Sequence, residues 1–137
     1  MNEVTEEFRG SNFIAGDWEN GFGIQFQLVA KDLVSASYTY EPRHQGPRNI
    51  AHGGALAALI DEAMTAAVFL TNHGPAWTVS LNLNYQAPVY LGTNVTISGH
   101  IRKIDGRKIF LYAEMVLVDG TVAVSADGLF IQLKKDS

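Results

Sequence analysis

The chain has 137 residues, 47% of them hydrophobic and 18% charged, and a formal net charge of −4. That composition fits one soluble globular domain with a proper core, and it lacks the basic excess of a nucleic-acid binder. There is no cysteine, so disulfides, thiolate metal sites and a cysteine nucleophile are excluded, and the cytoplasm is the expected compartment.

The first residues, MNEVTEEFRGSNF, are acidic and lack the apolar core of a signal peptide. Residues 1–21 are expected to be an N-terminal extension, with a short helix or a frayed end over 2–10 and a loop over 11–21. Gly23 to Ala30 alternates, placing Ile24, Phe26 and Leu28 on one face. Lys31-Asp32 is a tight connection to a second strand, Leu33 to Tyr40. Glu41 to Ala51 contains two prolines and a glycine and reads as a loop.

The next stretch, HGGALAALIDEAMTAAVFL, organises the chain. It predicts a helix of about five turns over 53–71 at 3.6 residues per turn. After His52 it is small or apolar on every side except at Asp61, Glu62 and Thr65. A helix of that kind is wrapped by other elements, and its two carboxylates argue against a membrane span. At about 100° per residue, Leu56, Leu59, Ala63, Ala66 and Leu70 share a bulky side. Asp61 points the other way, among Gly54, Ala57, Ala58, Thr65 and Val68. That small-residue face either meets water or leaves room for a ligand or a partner helix.

Asn72, His73, Gly74 and Pro75 end the helix. Four strands then follow: Thr78 to Tyr85, Gly92 to Arg102, Lys108 to Val118 and Thr121 to Lys134. Asp105-Gly106 and Asp119-Gly120 are hairpin turns. Strands joined largely by hairpins form an antiparallel sheet. The expected class is α+β: one curved antiparallel sheet wrapped around one long helix, in a single domain over 1–137.

The run HQGPRNIAHGGALAALIDEA, followed by NLNYQAPVYLG, resembles the PaaI-like acyl-CoA thioesterases of the hotdog fold over roughly residues 22–133. The resemblance implies hydrolysis of acyl-CoA to a carboxylic acid and CoA, with coenzyme A as part of the substrate and no separate cofactor. It also implies a homodimer with its sites at the interface, often paired into a tetramer. No nucleic-acid, membrane or metal partner is expected. His44, His73 and His100 show no ligand spacing. A non-catalytic acyl-CoA binding module and a hotdog hydratase or dehydratase are the alternatives. No DNA-binding extension is expected, which weighs against a regulator.

The residues give these roles chemical content. Gly53 and Gly54 open the helix, where backbone N–H groups lack partners and carry the positive end of the dipole. Such donors suit an oxyanion, although a glycine pair also simply lets a chain turn. Asp61 is a candidate nucleophile or general base. Gly53 and Asp61 stand eight residues apart, about 12 Å along one helix, so one carbonyl reaches both only across two subunits. Thr78 matches a family position that orients the water or acid, and β-propensity explains it equally well. His52 is a candidate site residue that binds the carbonyl side of the substrate or orders the loop, the second being what the resemblance implies. Glu62 is a second site acid, or an interface or solvent charge. Some family members carry Asn six residues before the His, where this chain has Gly46. The usual Gly three before it is Asn49, which tolerates left-handed backbone and is expected as a turn residue beside the substrate. Arg102, Lys103, Arg107 and Lys108 flank the Asp105-Gly106 turn; the resemblance implies that they meet CoA phosphates, and a solvated hairpin tip with edge-blunting lysines is the other reading.

Overall fold

The computed structural model describes residues 21–134 together with Ile14 and the backbone of Glu7–Phe8. Among the described residues the strands are β1 (Glu7–Phe8), β2 (Phe26–Ala30), β3 (Leu33–Thr39), β4 (Ala76–Tyr85), β5 (Asn94–Asp105), β6 (Lys108–Leu117) and β7 (Val122–Gln132); the long helix, α1, covers Gly53–Leu70. All pairings are antiparallel, in one sheet ordered β1-β2-β3-β5-β6-β7-β4. Glu7–Phe8 is a strand on β2, not part of a helix. The remainder of the expected N-terminal helix, and most of the 11–21 loop, lie outside the described residues.

Several strand ends differ from the pattern in the sequence. β2 begins at Phe26 although Ile24 is buried. Leu28 pairs with Val34 and so shares its face, yet it is 43% exposed. The hairpin after β5 turns through Gly106 and Arg107, with Asp105 paired to Lys108. β4 does not form a hairpin with β5: the chain crosses from β4 at one edge to β5 beside β3. Pro88, which has no N–H for a ladder, lies in that crossover.

The helix lies on the concave side of the sheet. Leu56, Leu59, Ile60, Ala63, Met64, Ala66 and Ala67 are buried with Ile97, Ile109, Leu111, Ala113 and Met115. Gly99 lets the two come close, because a Cβ there would stand 2.9 Å from the Ala63 carbonyl oxygen. Val68 joins the core at 2% exposure instead of the small face; it borders a small cavity with Pro75 and Phe130. The helix ends on Asn72 at φ 63°. Asn72 N–H donates to Phe69 O and His73 N–H to Val68 O, the paired bonds of a Schellman cap.

Candidate active site

The loop before α1 sets the first part of the site. Asn49 takes φ 60°, and its N–H donates to Gln45 Oε1 at 2.8 Å. His44 closes a short 3₁₀ turn, Pro42–His44, and its Nδ1 accepts from Glu41 N–H at 2.9 Å. Its ring stacks on Phe22, with centroids 4.9 Å apart. Burial, with help from Arg43, holds the His44 pKa below the usual histidine value. The His44 carbonyl accepts from His52 N–H at 2.7 Å. Gly46 passes so close to His52 that a Cβ would stand 2.9 Å from its Cα. No side chain fits there without displacing the residue that starts the helix, so an Asn at position 46 needs a different loop.

His52 caps α1. With φ −63° and ψ 138° it is extended, and its Nδ1 accepts from Gly54 N–H at 2.8 Å. The ring is thus an acceptor at Nδ1 and carries its proton on Nε2 when neutral. Gly54 N–H is consumed by this cap. Among the described residues, Gly53 N–H has no hydrogen-bond partner. One open donor therefore remains at the positive end of the helix. Tyr85 Oη donates to the Gly53 carbonyl at 2.9 Å. Gly53 and Tyr85 line a cavity of about 350 Å³ with Pro47, Ile50, Leu56 and Pro88.

Asp61 lies two turns further along α1. Thr78 Oγ1 donates to Asp61 Oδ1 at 2.7 Å. Burial raises the Asp61 pKa and the Thr78 hydrogen bond opposes the rise. A register shift between Thr78 and Ser80 leaves Val79 as an extra residue in β4. Thr78 pairs with inward-facing Phe130, and the bulge lets it point at the helix while Ser80 pairs with Leu129. Bulges often re-aim side chains in this way beside active sites.

Glu62 is not a solvated charge. Its Oε2 is buried and has no hydrogen-bond partner. Burial, then the charge of Asp61, pushes its pKa up to about 7. The sequence carried no sign of this, because burial there depends on distant elements.

The basic hairpin is partly occupied. Arg102 pairs with Asp127 at 3.3 Å and lies over the Tyr112 ring. Arg107 donates twice to the Gln132 carbonyl. Lys103 lies 5.6 Å above the Phe110 ring, and Lys108 is exposed. Ile109, next to Lys108, pairs with Phe130, which pairs with Thr78. The hairpin therefore sits at the Thr78 end of the sheet.

Within one chain the structure brings His52, Gly53, Gly54 and Tyr85 together in one group. It brings Asp61 and Thr78 together in another. The two groups lie at opposite ends of β4 and of the first half of α1.

Residues 48–124 match the family described as the thioesterase superfamily. The chain belongs to the thioesterase superfamily. Acyl-coenzyme A thioesterase THEM4 of Bos taurus is 39% identical over 120 residues, covering 85% of this chain and 49% of the relative. The same-named protein of Rattus norvegicus is 36% identical over 122 residues, covering 86% and 52%. The chain thus spans about half the length of the curated relatives it matches. The crystal structure of another thioesterase superfamily protein superposes with TM-score 0.83 at 27% identity, over 90% of this chain and 61% of that one. The PaaI protein of E. coli superposes with TM-score 0.76 at 17% identity, over 82% and 81%, a likeness of fold. The α+β sheet-and-helix architecture is that of the hotdog thioesterases.

Proposed function

We propose that this chain hydrolyses acyl-CoA thioesters at sites shared between two copies of itself. One observation carries the reading: on a single helix, Gly53 presents an open N–H, and Asp61, eight residues on, is a partly buried carboxylate held by Thr78. Neither group alone performs the reaction, and about 12 Å of helix separates them.

Asp61 takes a proton from water as the water oxygen bonds to the thioester carbonyl carbon. The carbonyl oxygen becomes negative and is met by Gly53 N–H of the partner subunit. The C–S bond then breaks, the sulfur leaves with the proton returned from Asp61, and the products are a carboxylic acid and CoA. A raised pKa suits Asp61 to this base-then-acid role.

The second copy is expected along β4. Its outer edge is unpaired among the described residues, and Trp77, Val79 and Tyr85 are each about half exposed beside it. An unprotected edge strand of this length invites another strand. A two-fold axis there brings one copy's Tyr85 end, with Gly53, to the other's Thr78 end, with Asp61, and makes two equal sites. The basic hairpin at the Thr78 end then lies near the polyanionic part of the substrate, with Lys103 and Lys108 freer to meet phosphate than Arg102 and Arg107.

The test is a short panel of acyl-CoAs, with free thiol measured as it appears. Turnover that is lost in Asp61→Asn supports the reading. Tight binding of acyl-CoA without thiol release makes the chain a binding module.

A further inference from the structure

The Gly53–Gly54 peptide unit is gripped at both ends. Its carbonyl accepts from Tyr85 Oη at 2.9 Å. Its N–H donates to His52 Nδ1 at 2.8 Å. The Tyr85 ring also lies along Gly53, where a Cβ would stand 3.6 Å from ring carbon Cζ. At this end of β4 the strand reaches the helix through the Tyr85 side chain, 32 residues away in sequence.

Two successive glycines have more backbone freedom than any other pair. In this first turn the N–H groups of Gly54, Ala55 and Leu56 all donate back to His52 and, among the described residues, that of Gly53 stays open. An oxyanion donor must nevertheless stand about 2.7–3.1 Å from the developing charge. Something has to remove the glycine freedom. The Gly53 N–H belongs to the His52–Gly53 peptide, whose carbonyl accepts from Ala55 N–H at 2.9 Å and Leu56 N–H at 3.1 Å; the next peptide, across the Gly53 Cα, is held on its carbonyl side by Tyr85. At Gly46 this chain has no side chain to offer a second donor, and the contact with His52 leaves no room for one. The orientation of the Gly53 N–H therefore matters all the more.

We infer that Tyr85 is a positioning residue for the oxyanion donor: its hydroxyl anchors the Gly53 carbonyl and its ring walls the glycine, fixing where the adjacent Gly53 N–H points. The inference rests on the thioesterase reading above. Tyr85 acts on the donor and takes no part in proton transfer. The contribution appears in the transition state, when the oxygen carries charge, more than in ground-state binding.

Tyr85→Phe keeps the ring and removes the hydroxyl. A displacement of the donor of about 1 Å costs up to about 10²-fold in rate. The expected result is kcat reduced about tenfold to a hundredfold with KM changed less than about twofold. A merely structural tyrosine would not give that split. As a readout independent of turnover, hydrogen exchange at the Gly54 amide should quicken in Tyr85→Phe, with the amides of Leu59 and Ala63 unchanged. Wild-type kcat in the variant overturns the inference while leaving the thioesterase reading intact, and so does a reduced kcat with Gly54 exchange unaltered. A wild-type chain that releases no thiol from any acyl-CoA sinks the thioesterase reading and this inference with it.

Discussion

Thr78 Oγ1 donates a 2.7 Å hydrogen bond to Asp61 Oδ1 from the start of the outermost strand. The bond favours the charged carboxylate, while burial, the larger effect, favours the neutral acid. Thr78→Val removes the opposing influence, so the Asp61 pKa rises further. The acid limb of kcat/KM, which follows ionisation of the base, should move to higher pH. Rate at the plateau should also fall, because Oδ1 loses its anchor. A pH–rate profile checks this. An acid limb at the wild-type position would detach Thr78 from the acid that turns over substrate.

Glu62 makes a separate prediction about stability. Its pKa in the fold, about 7, stands above the ordinary glutamate value through burial and the nearby charge of Asp61. The folded chain therefore holds this proton more tightly than the unfolded chain. Stability is fullest below the ordinary glutamate value and declines as pH rises through about 7. Glu62→Gln keeps the shape and removes the ionisation. Thermal melts should show a smaller loss of Tm between pH 5 and pH 8 than in wild type, and a higher Tm at pH 8. An equal slope in both proteins would mean that Oε2 gains a partner in the assembled protein. Turnover in Glu62→Gln should fall much less than in Asp61→Asn.

Much of this was legible in the sequence where the signal is local. The all-round apolar stretch from Gly53 marks a core helix, and Asn72 to Pro75 mark its end. The helical rise alone separates Gly53 from Asp61. Other features are non-local and carried no such signal. β4 lies beside β7 instead of β5 because the order of strands in a sheet is set by packing. The burial of Glu62 comes from tertiary cover, which a helix wheel does not contain. Tyr85 stood inside a visible motif, but its bond to Gly53 joins residues 32 apart and needs the fold to be seen.

The basic hairpin divides into two arginines with oxygen partners, Arg102 and Arg107, and two exposed lysines, Lys103 and Lys108. Reversing Arg102 or Arg107 breaks an ion pair with Asp127 or the bonds to the Gln132 carbonyl, so such variants mix folding with binding. Lys103→Glu with Lys108→Glu is the cleaner pair. The double variant should raise KM for acyl-CoA more than it lowers kcat, and added salt should weaken substrate binding in wild type because exposed charges are screened. A KM insensitive to both changes would place these lysines in solvent only.

The shared site has a direct test in mixed subunits. Asp61→Asn keeps size and removes the base, at a cost of about 10²–10⁴ in rate for general-base catalysis. Gly53→Pro removes the N–H. Proline suits this position: Gly53 is the first helical residue, and His52 before it already has φ −63° and ψ 138°, the extended backbone that precedes proline. The proline variant should therefore fold, and circular dichroism checks that it does. Each variant alone should be nearly inactive. A mixed dimer of the two holds one site with both lesions and one with neither, so mixing after subunit exchange should restore up to about half of wild-type activity per mixed dimer, by the symmetry of two equal sites. Mixed dimers that form, shown by two distinct affinity tags, and yet stay inactive would place Gly53 and Asp61 in the same subunit's chemistry or outside it altogether.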